Sequence, residues 1–204
     1  MKRPEKVIPS LGLDGTFVFV GLLVLAVIHG LGQAADSQAP TPSTQTVNLA
    51  SEQLRLQVPA RWKKGQPRSR IIDHEFSIPA PQGKTQPGRM TITRAGGSVA
   101  ANLKRWRGQF TPPPDTPAKE AAKTRQLSIA GLDVHVIDLK GTFHDRRGPF
   151  APATDRPRYR MLGAVIETPG AGLFFIKFYG PQPTVDQSAK AFYKMLDSLQ
   201  WETR

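Results

Sequence analysis

Leu54, Leu56 and Val58 are separated by Arg55 and Gln57, the period of a strand with one wet face. Pro59 ends that run and Trp62 follows it. Two more strands are predicted over 70–78 and 89–94, the second with Met90 and Ile92 turned inward, before Gly96-Gly97 breaks the pattern. Ser98 then suits the N-cap of a helix. On that helix Val99, Leu103, Trp106 and Phe110 recur at i, i+4, i+7 and i+11, one stripe that must dock on a sheet. Residues 111–119, with Pro112-Pro113-Pro114 and Pro117, are expected to form a long loop, because proline suits neither a helix interior nor a central strand.

The second half predicts a hairpin, 126–129 and 132–139 about Ala130-Gly131, and then a polar Arg/Pro-rich loop over 144–158. Residues 161–166 and 173–178 are almost continuously apolar and are joined by Thr168-Pro169-Gly170-Ala171-Gly172, a second hairpin. Strands without alternation are covered on both faces, so these two belong in the middle of the sheet. A last helix carries Val185, Ala189, Phe192, Leu196 and Leu199 on one stripe, and Thr184 with Gln187 has the form of a capping box. The expected fold class is α+β: an antiparallel β-sheet flanked by helices, an α/β/α sandwich.

The N-terminus has a different logic. Lys2, Arg3 and Lys6 precede an apolar run from Phe17 to Ile28, and Gly32-Gln33-Ala34-Ala35 offers small residues for cleavage after Ala34. The run is short beside the roughly 20 residues of a membrane span. Residues 1–35 therefore read as a signal peptide, with an uncleaved anchor as the alternative. Residues 36–46 read as a disordered Pro/Ser/Thr linker, and 47–204 as a single α+β domain. The implied location is periplasmic or extracellular, or tethered to the membrane by the N-terminal helix. About 170 residues remain after the signal, a length for one ordinary core without staples. The chain has no cysteine, which excludes a lipid-anchored lipoprotein and thiolate chemistry and favours a bacterial envelope setting over a disulfide-rich secreted module.

Charge adds a surface. Removing three basic and two acidic residues with the signal leaves +11 of the formal +12. Such a field draws anionic lipids, phosphate-bearing polymers and acidic polysaccharide, and it also keeps a protein soluble. The basic residues gather in three places, which are the candidate anion- or partner-binding residues: Arg61, Lys63, Lys64, Arg68 and Arg70; Lys104, Arg105 and Arg107; and Arg146, Arg147, Arg156, Arg158 and Arg160. Nucleic acid is not the expected partner, since no recognition motif is present and export removes the chain from the nucleoid.

The order of elements resembles the Mog1/PsbP-like fold superfamily. The matching residues are Leu56-Gln57-Val58-Pro59-Ala60-Arg61-Trp62 closing the opening strand and Asn102-Leu103-Lys104-Arg105-Trp106 on the helix after Gly96-Gly97. The third match is Phe174-Phe175-Ile176-Lys177-Phe178-Tyr179-Gly180-Pro181 leading into the last helix. The resemblance spans about residues 50 to 201. It implies a binding or scaffolding module rather than a catalyst, and it transfers no site residue.

Motifs for chemistry are sparse. Gly83-Lys84-Thr85 lacks the upstream glycine of a phosphate-binding loop, the position being held by Ile78, and reads as a polar turn. A Gly-x-Ser-x-Gly elbow is absent. In Asp73-His74-Glu75 only the two carboxylates share a strand face, and no histidine spacing suits a metal. Asp133 and His135 do share a face and could form an oriented imidazole. Trp106 reads as core, Trp62 as core or an exposed platform, and Trp201 as a cover for the last helix. The expectation is an exported, non-enzymatic envelope module that contacts a protein partner or an anionic lipid or polymer through its basic surface. No catalytic residue, cofactor, metal or small-molecule substrate is indicated. The alternative is a ligand-binding or hydrolytic domain using the Asp133/His135 pair.

Overall fold

The computed structural model of the chain describes residues 43–81, 86–146 and 151–203, all within the unit Pro40–Arg204. The signal segment 1–35, the start of the 36–46 linker, Gly83-Lys84-Thr85 and Arg147 lie outside the described residues. In chain order the elements are β1 (Thr44–Leu49), β2 (Leu54–Pro59), β3 (Lys63–Gly65), β4 (His74–Ile78), β5 (Gly88–Ala95), α1 (Val99–Arg107) and β6 (Phe110–Thr111). There follow α2 (Ala118–Ala121), β7 (Ala122–Ile129), β8 (Leu132–Asp145), β9 (Thr154–Thr168), β10 (Gly172–Pro181), α3 (Gln182–Asp197) and β11 (Gln200–Trp201).

Two antiparallel sheets form. The large one runs β3-β4-β5-β10-β9-β8, and β6 and β7 pair with different stretches of β8. The small one runs β1-β2-β11. The central hairpin β9–β10 stands where its unbroken apolar runs require, between β5 and β8, with Phe174 opposite Ile166 and Ile176 opposite Ala164. The α+β class and the flanked antiparallel sheet are as the patterning predicts.

Side chains alternate across β10. Phe174, Ile176 and Phe178 face α3 and the small sheet, and with Trp62, Phe192 and Leu196 they belong to the larger core. Phe175 points to the opposite face, where it joins Trp106, Phe110, Ile137 and Met161 in a smaller core. Trp62 is fully buried with its ring 5.6 Å from Phe178, so it is core rather than a platform.

Several local expectations change. β1 starts at Thr44, so the last three residues of the predicted 36–46 linker are paired against β2. Polar composition hides this strand, whose Gln45 amide donates to the carbonyls of Pro59 at 3.3 Å and Trp62 at 2.7 Å. Ser98 caps α1 as expected, accepting from Ala101 N–H at 3.2 Å, but the helix stops at Arg107. Gly108 and Gln109 donate to the carbonyls of Lys104 and Trp106 at 3.0 and 3.1 Å, and Phe110 leaves the helix to pair with Phe143. It still reaches the smaller core, from a strand. The Thr184 capping box does not form, because α3 starts at Gln182 and the buried Thr184 hydroxyl donates to the Gln86 carbonyl at 3.0 Å. α2 occupies the end of the expected 111–119 loop, and β8 and β9 extend into the expected 144–158 loop.

Candidate anion-binding site

The two faces of the large sheet are covered unequally. At 1.5 Å per residue the nine residues of α1 span about 14 Å, too short for the strands beneath. The helix rests over β9, where Gly163 makes room: a Cβ there would lie 2.5 Å from the Trp106 ring. Trp106 meets Phe175 edge-on with centroids 5.9 Å apart. Beyond the helix the same face continues with Lys177 and Tyr179 on β10, and Arg89 and Thr91 on β5. These residues line a cavity of about 940 Å³.

Two cations meet at the floor in different states. Arg89 is spent: it donates to both oxygens of Glu75 at 2.8 and 2.9 Å and to the Tyr179 hydroxyl at 2.6 Å. These bonds raise the Arg89 pKa and, with the Arg68 backbone N–H, hold the Glu75 carboxyl below its ordinary value against burial. Lys177 is not spent. Its ammonium donates to the neutral Gln109 Oε1 at 2.6 Å and lies 5.0 and 4.9 Å from the ring centres of Phe143 and Tyr179. No carboxylate among the described residues forms an ion pair with it. Burial, and then repulsion from Arg105 and Arg89, lower its pKa to about 7, with Asp145 opposing.

The walls are aromatic. Phe143 and Tyr159 stack with planes 15° apart and centroids at 6.1 Å, and Phe143 meets Tyr179 at 5.1 Å. Burial raises the Tyr159 pKa. Arg68, Arg146 and Arg156 stand around the rim with Ile71, the one large hydrophobic fully exposed among the described residues, at 74%.

One edge of the rim carries a chain of hydrogen bonds over three adjacent strands. His144 Nδ1 lies 2.7 Å from Asp155 and Nε2 lies 2.8 Å from the Thr111 hydroxyl. The tautomer with its proton on Nδ1 satisfies both. The backbone holds the chain in place: His144 N–H donates to the Gln109 carbonyl at 2.9 Å. Gly141 sits at a register shift with φ +142°, where a Cβ would lie 2.0 Å from the Thr111 carbonyl oxygen.

All three predicted basic groups reach this region, each in part. Arg68 comes from the first, Arg146 and Arg156 from the third, and Arg105 of the second lies close enough to repel Lys177. Arg61, Lys63, Lys64 and Arg70 are exposed outside the pocket, Lys104 is exposed on the outer side of α1, and Arg158 is exposed. Arg107 borders a separate, smaller hollow with Lys119 and Lys140. Arg160 is a correction: it points to the α3 side, and its guanidinium is taken up by Asp138 at 2.7 and 2.9 Å and Asp186 at 2.7 Å. The Asp133/His135 pair also does not form. His135 pairs across the sheet with Glu167 at 2.6 Å, Asp133 accepts from Gln126 at 3.1 Å, and neither borders the cavity. Both partners are diagonal neighbours on the adjacent strands, since Val165 and Gln126 stand directly opposite His135 and Ser128 directly opposite Asp133, and diagonal pairs remain within reach of long side chains.

Sequence reasoning missed Arg89, Gln109, Lys177 and Tyr179. One signal was available: Lys177 interrupts the apolar run Phe174–Phe178 of a strand predicted to be covered on both faces. A cation at such a place needs a reason. Gln109 and Arg89 carry no comparable mark.

No protein-family model matches the sequence, and no curated protein matches it. Among solved structures, the chain is similar to cyanobacterial PsbP from Synechocystis sp. PCC 6803 at 11% identity and a TM-score of 0.49, over 83% of this chain and 99% of that one. It is also similar to LpqN, involved in cell envelope biogenesis of Mycobacterium tuberculosis, at 10% identity and a TM-score of 0.46, over 78% and 91%. Among the described residues no helix is long and apolar enough to cross a membrane.

Proposed function

We propose that this protein is an exported, non-enzymatic binding module of the cell envelope, which takes an anionic component of that compartment on the cationic pocket beside α1. The observation that carries the reading is the convergence of Arg68, Arg146 and Arg156 on a floor holding Lys177, a cation without a carboxylate partner. Arginine supplies forked donors that suit phosphate and carboxylate groups. The charged start, apolar run and small residues of 1–35 support the export part. Co-sedimentation with vesicles of anionic lipid, and with an anionic polymer, tests the binding. Wild type binds at low salt and weakens steeply as salt rises, because exposed contacts are screened over about 8–10 Å at physiological ionic strength. Arg146→Glu with Arg156→Glu weakens it further. Absence of binding at low salt, or equal binding by the double variant, overturns the reading.

A second reading, ester hydrolysis, is favoured by the Thr111–His144–Asp155 chain, in which a hydroxyl bonds an imidazole oriented by a carboxylate. It predicts turnover of p-nitrophenyl acetate that survives Thr111→Ser and disappears in Thr111→Ala. Equal background rates for wild type and Thr111→Ala leave the chain as a clasp of β6 onto β8 and β9.

A further inference from the structure

Charge, size and wall chemistry together narrow the occupant of the pocket, granted that the pocket is an anion site. Glu75 balances Arg89, and Asp145 stands 3.7 Å from Arg156. The remaining internal cation is Lys177, at the floor, held by one neutral amide and two ring faces. An ammonium withdrawn from water is costly unless a counter-charge reaches it. Rings and an amide give it less than a carboxylate would, so the free pocket holds an unfilled place for one negative group.

A bare inorganic anion would leave most of the space empty. The cavity of about 940 Å³ lies at the upper end of the range for organic ligands, roughly 300–1,000 Å³. Its apolar surface consists of the rings of Phe143, Tyr159 and Tyr179, with Ile71 and Ile72 at the mouth. Rings pair favourably with rings in offset or edge-on contact, whereas among the described residues the aliphatic lining is limited to Ile71, Ile72 and Pro87, too little for an acyl chain. A polyanion or membrane surface reaches the arginine rim but does not descend to Lys177.

We propose that the pocket receives one discrete organic anion bearing an aromatic ring, with its anionic group on Lys177 and its ring among Phe143, Tyr159 and Tyr179. Binding is accompanied by proton uptake near neutral pH. The groups facing Lys177 are Arg89 and Thr91 from β5, Arg105 from α1, Gln109 from the turn before β6, Phe143 and Asp145 from β8, and Tyr179 from its own strand. Two of the charged ones repel a proton and one attracts it. An incoming carboxylate reverses that balance, so affinity falls as pH rises through about 7.

The probe is 2-naphthoate, whose charge is constant from pH 6 to 9, measured by calorimetry on the full domain beside inorganic phosphate and anionic vesicles. Wild type binds 2-naphthoate at pH 6.5, at least tenfold more weakly at pH 8.5, and takes up protons when compared in buffers of different ionisation enthalpy. Phosphate binds far more weakly at either pH. Lys177→Met loses at least tenfold at pH 6.5 and loses the pH dependence while still unfolding in one cooperative transition, and Lys104→Ala, exposed on α1 outside the pocket, binds as wild type does. Equal affinity of wild type and Lys177→Met, or pH-independent binding, overturns the inference. Vesicle binding with no 2-naphthoate binding overturns it and leaves the surface reading standing, whereas loss of both removes the two together.

Discussion

The two faces of the large sheet carry strands of the same chain and differ in what covers them. On one, α3 and the small sheet seal a core in which Trp62, Phe76, Phe178 and Phe192 are fully buried. On the other, nine-residue α1 seals only the ground under Trp106 and leaves the rest to Lys177, Arg89 and three aromatic rings. The register of β10 makes the contrast sharp. Phe174, Ile176 and Phe178 give the sealed face one apolar row, while Phe175, Lys177 and Tyr179 give the other a gradient from ring to cation to phenol. A sheet does not choose between stability and binding. It assigns one face to each, and the length of the covering helix sets the border.

If the ground under α1 is a genuine second core, Trp106→Ala should cost as much as Trp62→Ala, about 3–5 kcal/mol each in denaturant melts. A cost under about 1 kcal/mol for Trp106→Ala would show that α1 lies loosely and the border is elsewhere. The next effect belongs to Arg160, which ties β8, β9 and α3 on the sealed side. Arg160→Ala strands Asp138, whose side chain is 18% exposed, and should cost about 2–3 kcal/mol, below the range for breaking a fully buried pair. A neutral result would mean those carboxylates are hydrated as they stand.

Lys177 separates the faces by pH. In the unfolded chain it has the ordinary lysine value of 10.5, and in the fold its pKa is about 7. Between these values the unfolded state binds more protons, so this group makes stability rise with pH across that window. Lys177→Met should flatten the rise by about 1–2 kcal/mol, less than the full shift implies because the ammonium keeps the Gln109 amide and two ring faces in the fold. Parallel curves for wild type and variant, from melts at pH 7 and pH 10, would mean the ammonium is as well solvated in the fold as outside it. The smallest effect is on the outer side of α1, where Lys104→Ala should stay within about 0.5 kcal/mol. A larger loss would place that side against something other than water.

Legibility along the chain followed the same division. Every strand with a strong apolar pattern was readable: the central hairpin at 161–166 and 173–178, the alternation at Leu54, Leu56 and Val58, and the helical stripe at Val99, Leu103 and Trp106. The stripe's last member, Phe110, was read one element too long, since a residue can reach a core from helix or strand and the pattern does not say which. β1 was hidden because its partners are backbone groups and amide side chains. The binding residues were legible only as an excess of charge. Arg68, Arg146 and Arg156 were seen as members of runs, and Arg160 stood in the same run although its guanidinium is spent on Asp138 and Asp186.

Taken alone, the sequence determined the α+β class, the central place of β9 and β10, and the basic balance. All of these follow from local periodicity or from composition, which need no knowledge of distant neighbours. Which cation keeps its charge free was decided by the tertiary structure. Arg89 meets Glu75 across a strand pair, Arg160 meets Asp186 from α3, and Lys177 meets only Gln109 and two rings. Such pairings join residues 14, 26 and 68 positions apart. At those separations nothing in the local pattern marks a charge as spent or free, because ion pairing depends on distances that only the folded sheet sets.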